Sequence, residues 1–183
     1  MSFFPSMQKP AGVLNILRFN PIAGQALIAL HTAALRNQSS LSPADKELIA
    51  AFVSGLNECR YCYGVHSRTA MAFGVDEALL QSLIDDVDGS SIRDELKPML
   101  RYVHKLTLDP SRMTQSDARA VFDAGWDEQA LHEAVLTTCI FNFMNRLLEG
   151  HGVKGEDIDF AERGRALHDQ GYEPLLAALR AGR

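Results

Sequence analysis

Apolar residues recur along the chain at the three- and four-residue spacing of helices, punctuated by glycine, proline and capping residues. Asn20-Pro21 supplies a cap and a first-turn proline for a helix through about Leu35. Ser42-Pro43-Ala44-Asp45 repeats that signal, with an acidic first turn that suits the helix dipole. The helix it opens carries Leu48, Ile49, Phe52 and Val53 as a stripe that faces a core. Gly55-Leu56-Asn57 reads as a break, after which a new helix starts near Glu58 or Cys59 and runs to Phe73, stopped by Gly74. Asp76 caps a short helix with Leu79, Leu80, Leu83 and Ile84. Ser91 is the predicted cap of the next, whose buried side is Leu96, Leu100, Val103 and Leu106 or Leu108, with Pro98 starting or bending it. Thr114 and Asp127 cap two more. The last of these runs to about Leu148, and Leu131, Val135, Leu136, Ile140, Phe143, Met144 and Leu147 spread over an arc wide enough for central burial or a subunit contact. Two weaker helical stretches follow Asp157.

No alternating strand pattern stands out, so the expected class is all-α: one helical bundle over residues 1–183. Its predicted centre is about 42–75, with a second long helix at about 128–148. Gly74-Val75 and Gly152-Val153 close long helices in the same way, each six residues after an arginine (Arg68, Arg146), a faint internal echo.

Composition narrows the function classes. A formal net charge of −5 argues against a nucleic-acid binder, which needs a basic stripe to meet phosphates. The first ten residues lack the basic and apolar regions of a signal peptide, and no apolar run reaches membrane-spanning length. The expectation is a cytoplasmic protein with no membrane or nucleic-acid partner. Three cysteines are too few, and odd in number, for a disulfide-stapled domain. Cys59 and Cys62 lie three apart, while Cys139 stands alone in an apolar segment and reads as an inert core thiol.

The chemistry concentrates in Cys59-Arg60-Tyr61-Cys62-Tyr63-Gly64-Val65-His66. On a helix, i, i+3 and i, i+4 neighbours share a face, which stacks two sulfurs and an imidazole on one side. The break before Cys59 puts the cysteines at a helix N-terminus, where free N–H groups and the dipole stabilise a thiolate. Thiols in such CxxC pairs ionise at roughly 3.5–7.5 instead of about 8.5. The second sulfur is close enough to resolve a sulfenic acid into a disulfide. His66 is placed to take the thiol proton, and a hairpin through Gly55 would bring Glu47 back to orient it. The same donors, Cys59, Cys62, His66 and Glu47, also suit zinc, although structural zinc sites usually join two segments. Plain packing of small residues is the third reading.

A Glu twelve residues before a CxxC, and a His four after its second Cys, resembles the AhpD-like alkylhydroperoxidases of the carboxymuconolactone decarboxylase superfamily. The resemblance covers 42–75 well, and extends more loosely through 100–109 and Phe141-Asn142-Phe143-Met144-Asn145-Arg146-Leu147, which looks like the peroxidase-related branch. It implies an AhpD-like helical bundle assembling as trimers or hexamers, and reduction of alkyl hydroperoxides or disulfides by a dithiol–disulfide cycle. It further implies Cys62 as peroxidatic thiol, Cys59 as resolving thiol, and His66 with Glu47 as a proton relay. No bound cofactor is implied, only an external dithiol reductant of lipoyl type or a thiol donor protein. The best-studied members carry a second His where this chain has Tyr61, whose phenol (pKa about 10) is a poor base and fits better as a hydrogen-bond donor. The alternative function is a redox sensor or zinc-holding oligomeric module. Asn142, Asn145 and Arg146 need partners in an apolar helix, and either line the cysteine site or bridge subunits. Arg146 and Glu149 are spaced for a weak ion pair; His31, His104, His132, His151 and His168 show no pairing.

Overall fold

The structure is a computed structural model that describes residues 2–7 and 9–181. Among these the chain is helical throughout, with no strand. The helices are α1 (Val13–Leu17), α2 (Pro21–Leu35), α3 (Pro43–Leu56), α4 (Arg60–Ala72), α5 (Glu77–Asp85), α6 (Lys97–Leu108), α7 (Gln115–Asp123), α8 (Glu128–Gly150), α9 (Phe160–Gln170) and α10 (Glu173–Ala181).

The capping signals act largely as expected. Asn20 accepts from the Ala23 amide and Asp127 from that of Ala130. Ser42 and Asp45 form a reciprocal capping box, each side chain accepting from the other's backbone amide. Ser91 does not cap α6. A single 3-10 turn at Asp94–Leu96 leads into the helix at Lys97, and Pro98 sits in the first turn, where its missing N–H costs nothing. The buried side of α6 then runs through Met99, Leu100, Val103 and Thr107, leaving Leu108 exposed.

Helix α3 is the centre of the molecule. Every residue from Asp45 to Ser54 is buried, so the predicted stripe was too narrow. The charged residues inside are matched. Lys46 Nζ lies 3.0 Å from Glu133 Oε2 of α8 and donates to the Asn37 carbonyl at 3.1 Å. Glu133 also accepts from Ser39, Asn37 and Gln129. Burial opposes its ionisation, but these donors prevail and hold its pKa at about 2. On α8, Leu131, Ile140 and Met144 are buried, whereas Phe143 is 53% exposed and Cys139 is exposed. Cys139 is therefore not a core thiol: Thr138 and Ile140 beside it are buried, but a helix turns about 100° per residue and carries Cys139 outward.

The α3–α4 turn sets up the cysteines. Glu58 takes a left-handed conformation (φ 54°), unusual for a residue with a Cβ, and reverses the chain so that α4 starts two residues later, at Arg60, against α3. On its other side α4 meets α9 closely. A Cβ at Gly164 would sit 2.5 Å from Arg68 Cβ and 2.7 Å from its carbonyl carbon; one at Gly64 would sit 2.7 Å from the Phe160 ring. Small residues at both points let α9 lie against the reactive helix, and α10 folds back toward α2.

Candidate active site

Cys59 is the N-cap of α4, and Cys62 and His66 follow on the first two turns. Both cysteines are reduced and buried; Cys59 is 0% exposed and Cys62 4%. The Cys62 thiol donates toward the Cys59 sulfur and pulls the Cys59 pKa down to about 7 against the cost of burial. The Cys62 amide, the charge of Lys154 and the Asn145 side chain add to this effect. The same S–H···S bond, with burial, pushes Cys62 well above the usual thiol range. The resting pair thus favours a thiolate on Cys59 with the shared proton on Cys62.

Glu47 of α3 is fully buried, and its Oε2 lies 2.7 Å from Nδ1 of His66. A carboxylate oxygen only accepts, so Nδ1 carries the hydrogen and Nε2 is the basic nitrogen. Oε1 of Glu47 is held by Arg36 at 2.7 Å. Burial alone would raise the Glu47 pKa, but His66 and Arg36 outweigh it and keep the carboxyl below its ordinary range. Arg36 also donates to the Leu35 and Leu167 carbonyls, and its guanidinium lies over Phe73 and Tyr172. Phe141 of α8 meets the His66 ring edge-on, with centroids 4.5 Å apart, and limits its rotation.

Cys62 and His66 share one wall of a cavity of about 300 Å³. The rest is mostly apolar: Ile28 from α2, Phe141 and Met144 from α8, and Leu167 and Leu175 from α9 and α10. Tyr61 lines it too. Its phenol oxygen accepts from the Val13 amide at 3.3 Å.

The four residues singled out by spacing come together in this way, with Glu47 reaching His66 across the α3–α4 hairpin. Arg36 and His31 were missed. Arg36 stands eleven residues before Glu47 in no recognisable pattern, and His31 reaches the cavity only through the packing of α2. Asn142, Asn145 and Arg146 are not among the residues lining the cavity, but the Asn145 side chain reaches both cysteines. Asn145 bonds Ser54 and Asn57, Asn142 bonds Asn57, and Arg146 donates to Asn142, not to Glu149, which pairs with Lys154. Among the described residues no group of three or more His, Cys, Asp or Glu side chains is disposed to hold a metal ion.

A helical bundle with a reduced CxxC at the start of a buried helix, backed by a His–Glu pair, defines a dithiol protein of AhpD-like architecture. Residues 21–88 match the carboxymuconolactone decarboxylase family. The fold is similar to the alkylhydroperoxidase AhpD core of an uncharacterized peroxidase-related protein from Ralstonia eutropha JMP134 (TM-score 0.73, 21% identity, 81% of this chain and 78% of that one). It is also similar to an uncharacterized peroxidase-related protein from Silicibacter sp. TM1040 (TM-score 0.71, 24% identity, 76% and 73%). No curated protein matches it in sequence. No helix among the described residues is long and apolar enough to cross a membrane.

Proposed function

We propose that the protein is a thiol-dependent peroxidase that reduces organic hydroperoxides through a Cys59–Cys62 dithiol–disulfide cycle. The observation that carries this reading is that Cys62 and His66 face one mostly apolar cavity while Cys59, the buried N-cap of the same helix, stands three residues before Cys62.

In the first step the Cys62 proton passes to His66 Nε2, and the sulfur attacks the terminal oxygen of R–O–O–H. The O–O bond breaks, Cys62 becomes a sulfenic acid, and the departing alkoxide takes the proton back from His66 to leave as the alcohol. Glu47, anchored by Arg36, keeps the Nδ1 hydrogen in place and balances the imidazolium while it lasts. In the second step the Cys59 thiolate attacks the Cys62 sulfur, and hydroxide leaves to be protonated as water. Two electrons have moved from the dithiol to the peroxide. An external dithiol of lipoyl type restores the pair by exchange.

The exposed apolar side chains Phe19, Leu30 and Phe143 line a groove between α2 and α8, and they support self-association of this chain. Sedimentation of the reduced protein tests that part: a monomer at micromolar concentration overturns it.

The cycle is tested by counting free thiols by alkylation and intact mass before and after one equivalent of cumene hydroperoxide. Loss of two thiols, mapped to Cys59 and Cys62 with Cys139 retained, and steady turnover with dihydrolipoamide that vanishes in Cys62→Ser, are expected. Thiols that remain reduced, or that react without forming the Cys59–Cys62 bond, overturn the reading.

A further inference from the structure

Apart from Cys62 and His66, the cavity holds one more imidazole, that of His31 on α2. This residue is 3% exposed, and its Nδ1 lies 2.7 Å from the Leu27 carbonyl oxygen. A carbonyl can only accept, so Nδ1 bears the hydrogen and Nε2 is an acceptor. No group of the described residues bonds Nε2. Burial pushes the His31 pKa down to about 4, so the ring stays neutral near pH 7 and the acceptor stays open. The His31 ring lies 5.3 Å from that of Tyr172, another lining residue, whose buried hydroxyl has no partner either. Phe141 meets both imidazoles edge-on, its ring centroid 6.0 Å from His31 and 4.5 Å from His66.

A buried polar atom without a partner carries a desolvation cost that a ligand relieves. Here an open acceptor and a buried hydroxyl occur beside each other in a cavity whose lining is mostly aliphatic and aromatic, Arg163 and Gln170 being its other polar residues apart from Tyr61, Cys62 and His66. A ligand that suits them has an apolar body and a terminus with one hydrogen to give and a second oxygen to accept.

We propose that His31 is a substrate-binding residue: its Nε2 accepts the terminal O–H of an organic hydroperoxide and so turns the terminal oxygen toward Cys62. The apolar body of the peroxide fills the space among Ile28, Met144, Leu167 and Leu175. His31 takes no proton in the cycle; the Cys62 proton travels through His66, and His31 fixes which oxygen the sulfur meets. This inference rests on the peroxidase reading, and it is framed so that the two fail separately.

The test compares wild type, His31→Phe and His31→Gln. Phenylalanine keeps the ring and removes the acceptor; glutamine restores an acceptor near the place of Nε2. Two rates of Cys62 modification are measured in the reduced protein, one with cumene hydroperoxide and one with methyl methanethiosulfonate, which has no O–H or N–H to donate. Loss of one hydrogen bond predicts a hydroperoxide rate about tenfold lower in His31→Phe, with the thiosulfonate rate unchanged and His31→Gln recovering most of the loss. Equal hydroperoxide rates in wild type and His31→Phe overturn the proposal, as does a parallel fall in both reagents' rates, which would mark a general disturbance of Cys62. Binding of cumyl alcohol, which has the same hydrogen to give, is measured in the Cys62→Ser background with and without His31→Phe. Affinity weakened about fivefold or more supports the site, and unchanged affinity overturns it. If wild type is inert to hydroperoxide, the peroxidase reading falls and the alcohol measurement alone decides on His31.

Discussion

Replacing Glu47 with glutamine probes the site at its most buried charge. The carboxylate accepts from His66 Nδ1 and is ion-paired with Arg36, each at 2.7 Å, and is 0% exposed. Glutamine has one oxygen and one NH2 group, so it can satisfy only one of the two donors. If the oxygen turns to Arg36, the amide donates to His66 Nδ1 and forces the hydrogen onto Nε2, which then cannot receive the Cys62 proton. If the oxygen turns to His66, the NH2 group confronts the guanidinium. Each charge-assisted bond contributes roughly 1.5–3 kcal/mol. Arg36 keeps partial contact with water, its side chain being 17% exposed. A loss of about 3 kcal/mol in unfolding free energy at pH 7 is expected, measured by urea denaturation. The rate of thiol oxidation by hydroperoxide, followed by stopped flow, should fall roughly 10²- to 10⁴-fold, the range for a lost general base. Linkage adds a second signature. The folded-state pKa of Glu47 lies below its ordinary value of 4.5, so its contribution to stability is full above that value and lost as pH falls through the folded pKa. Glutamine has no such dependence, so the stability gap between the two proteins narrows on acidification below about pH 4.5. A variant that oxidises within threefold of wild type, or a gap that stays constant down to pH 3, refutes the reasoning.

Three further outcomes are expected. With Cys59 drawn down to about 7 by the Cys62 thiol, thiolate absorbance should rise by one sulfur per chain around pH 7, and in Cys62→Ala that step should move upward; an unmoved midpoint contradicts the S–H···S bond. Lys46→Ala strands Glu133 in the interior and should cost about 3–5 kcal/mol in urea unfolding, whereas the double change Lys46→Met, Glu133→Leu should recover most of it; a larger loss in the double variant would rule out the ion pair as the cause. Gly164→Ala forces a Cβ against the backbone of Arg68 and should lower stability by about 1–3 kcal/mol, with faster proteolysis within α9; an unchanged urea midpoint would show that the helices can separate freely.

What could be read from the chain, and what could not, divides along physical lines. Local chemistry was legible: Asn20, Ser42, Asp76 and Asp127 cap their helices because each side chain bonds amides within its own first turn. The Cys59, Cys62 and His66 spacing is likewise local, and only Glu47 needed a hairpin to reach them. Arg36 and His31 enter the site through packing of α2, which no spacing along the sequence encodes. The same holds for Lys46 and Glu133. A periodicity reading assigns charged positions to the solvent side, yet these two neutralise each other inside the protein. Cys139 shows the converse: apolar neighbours in sequence said little about a residue that the helix rotates to the surface.

The cavity wall draws on several stretches of the chain. Cys62 and His66, with the Arg36–Glu47 pair behind them, fall within 21–88, the stretch that matches the family, whereas Leu167, Tyr172 and Leu175 come from the last two helices. The candidate reacting residues thus lie within one stretch, whereas the rest of the wall is shared among α2, α8, α9 and α10. Substitutions in α9 and α10 can therefore reshape part of the cavity without touching Cys59, Cys62, His66 or Glu47.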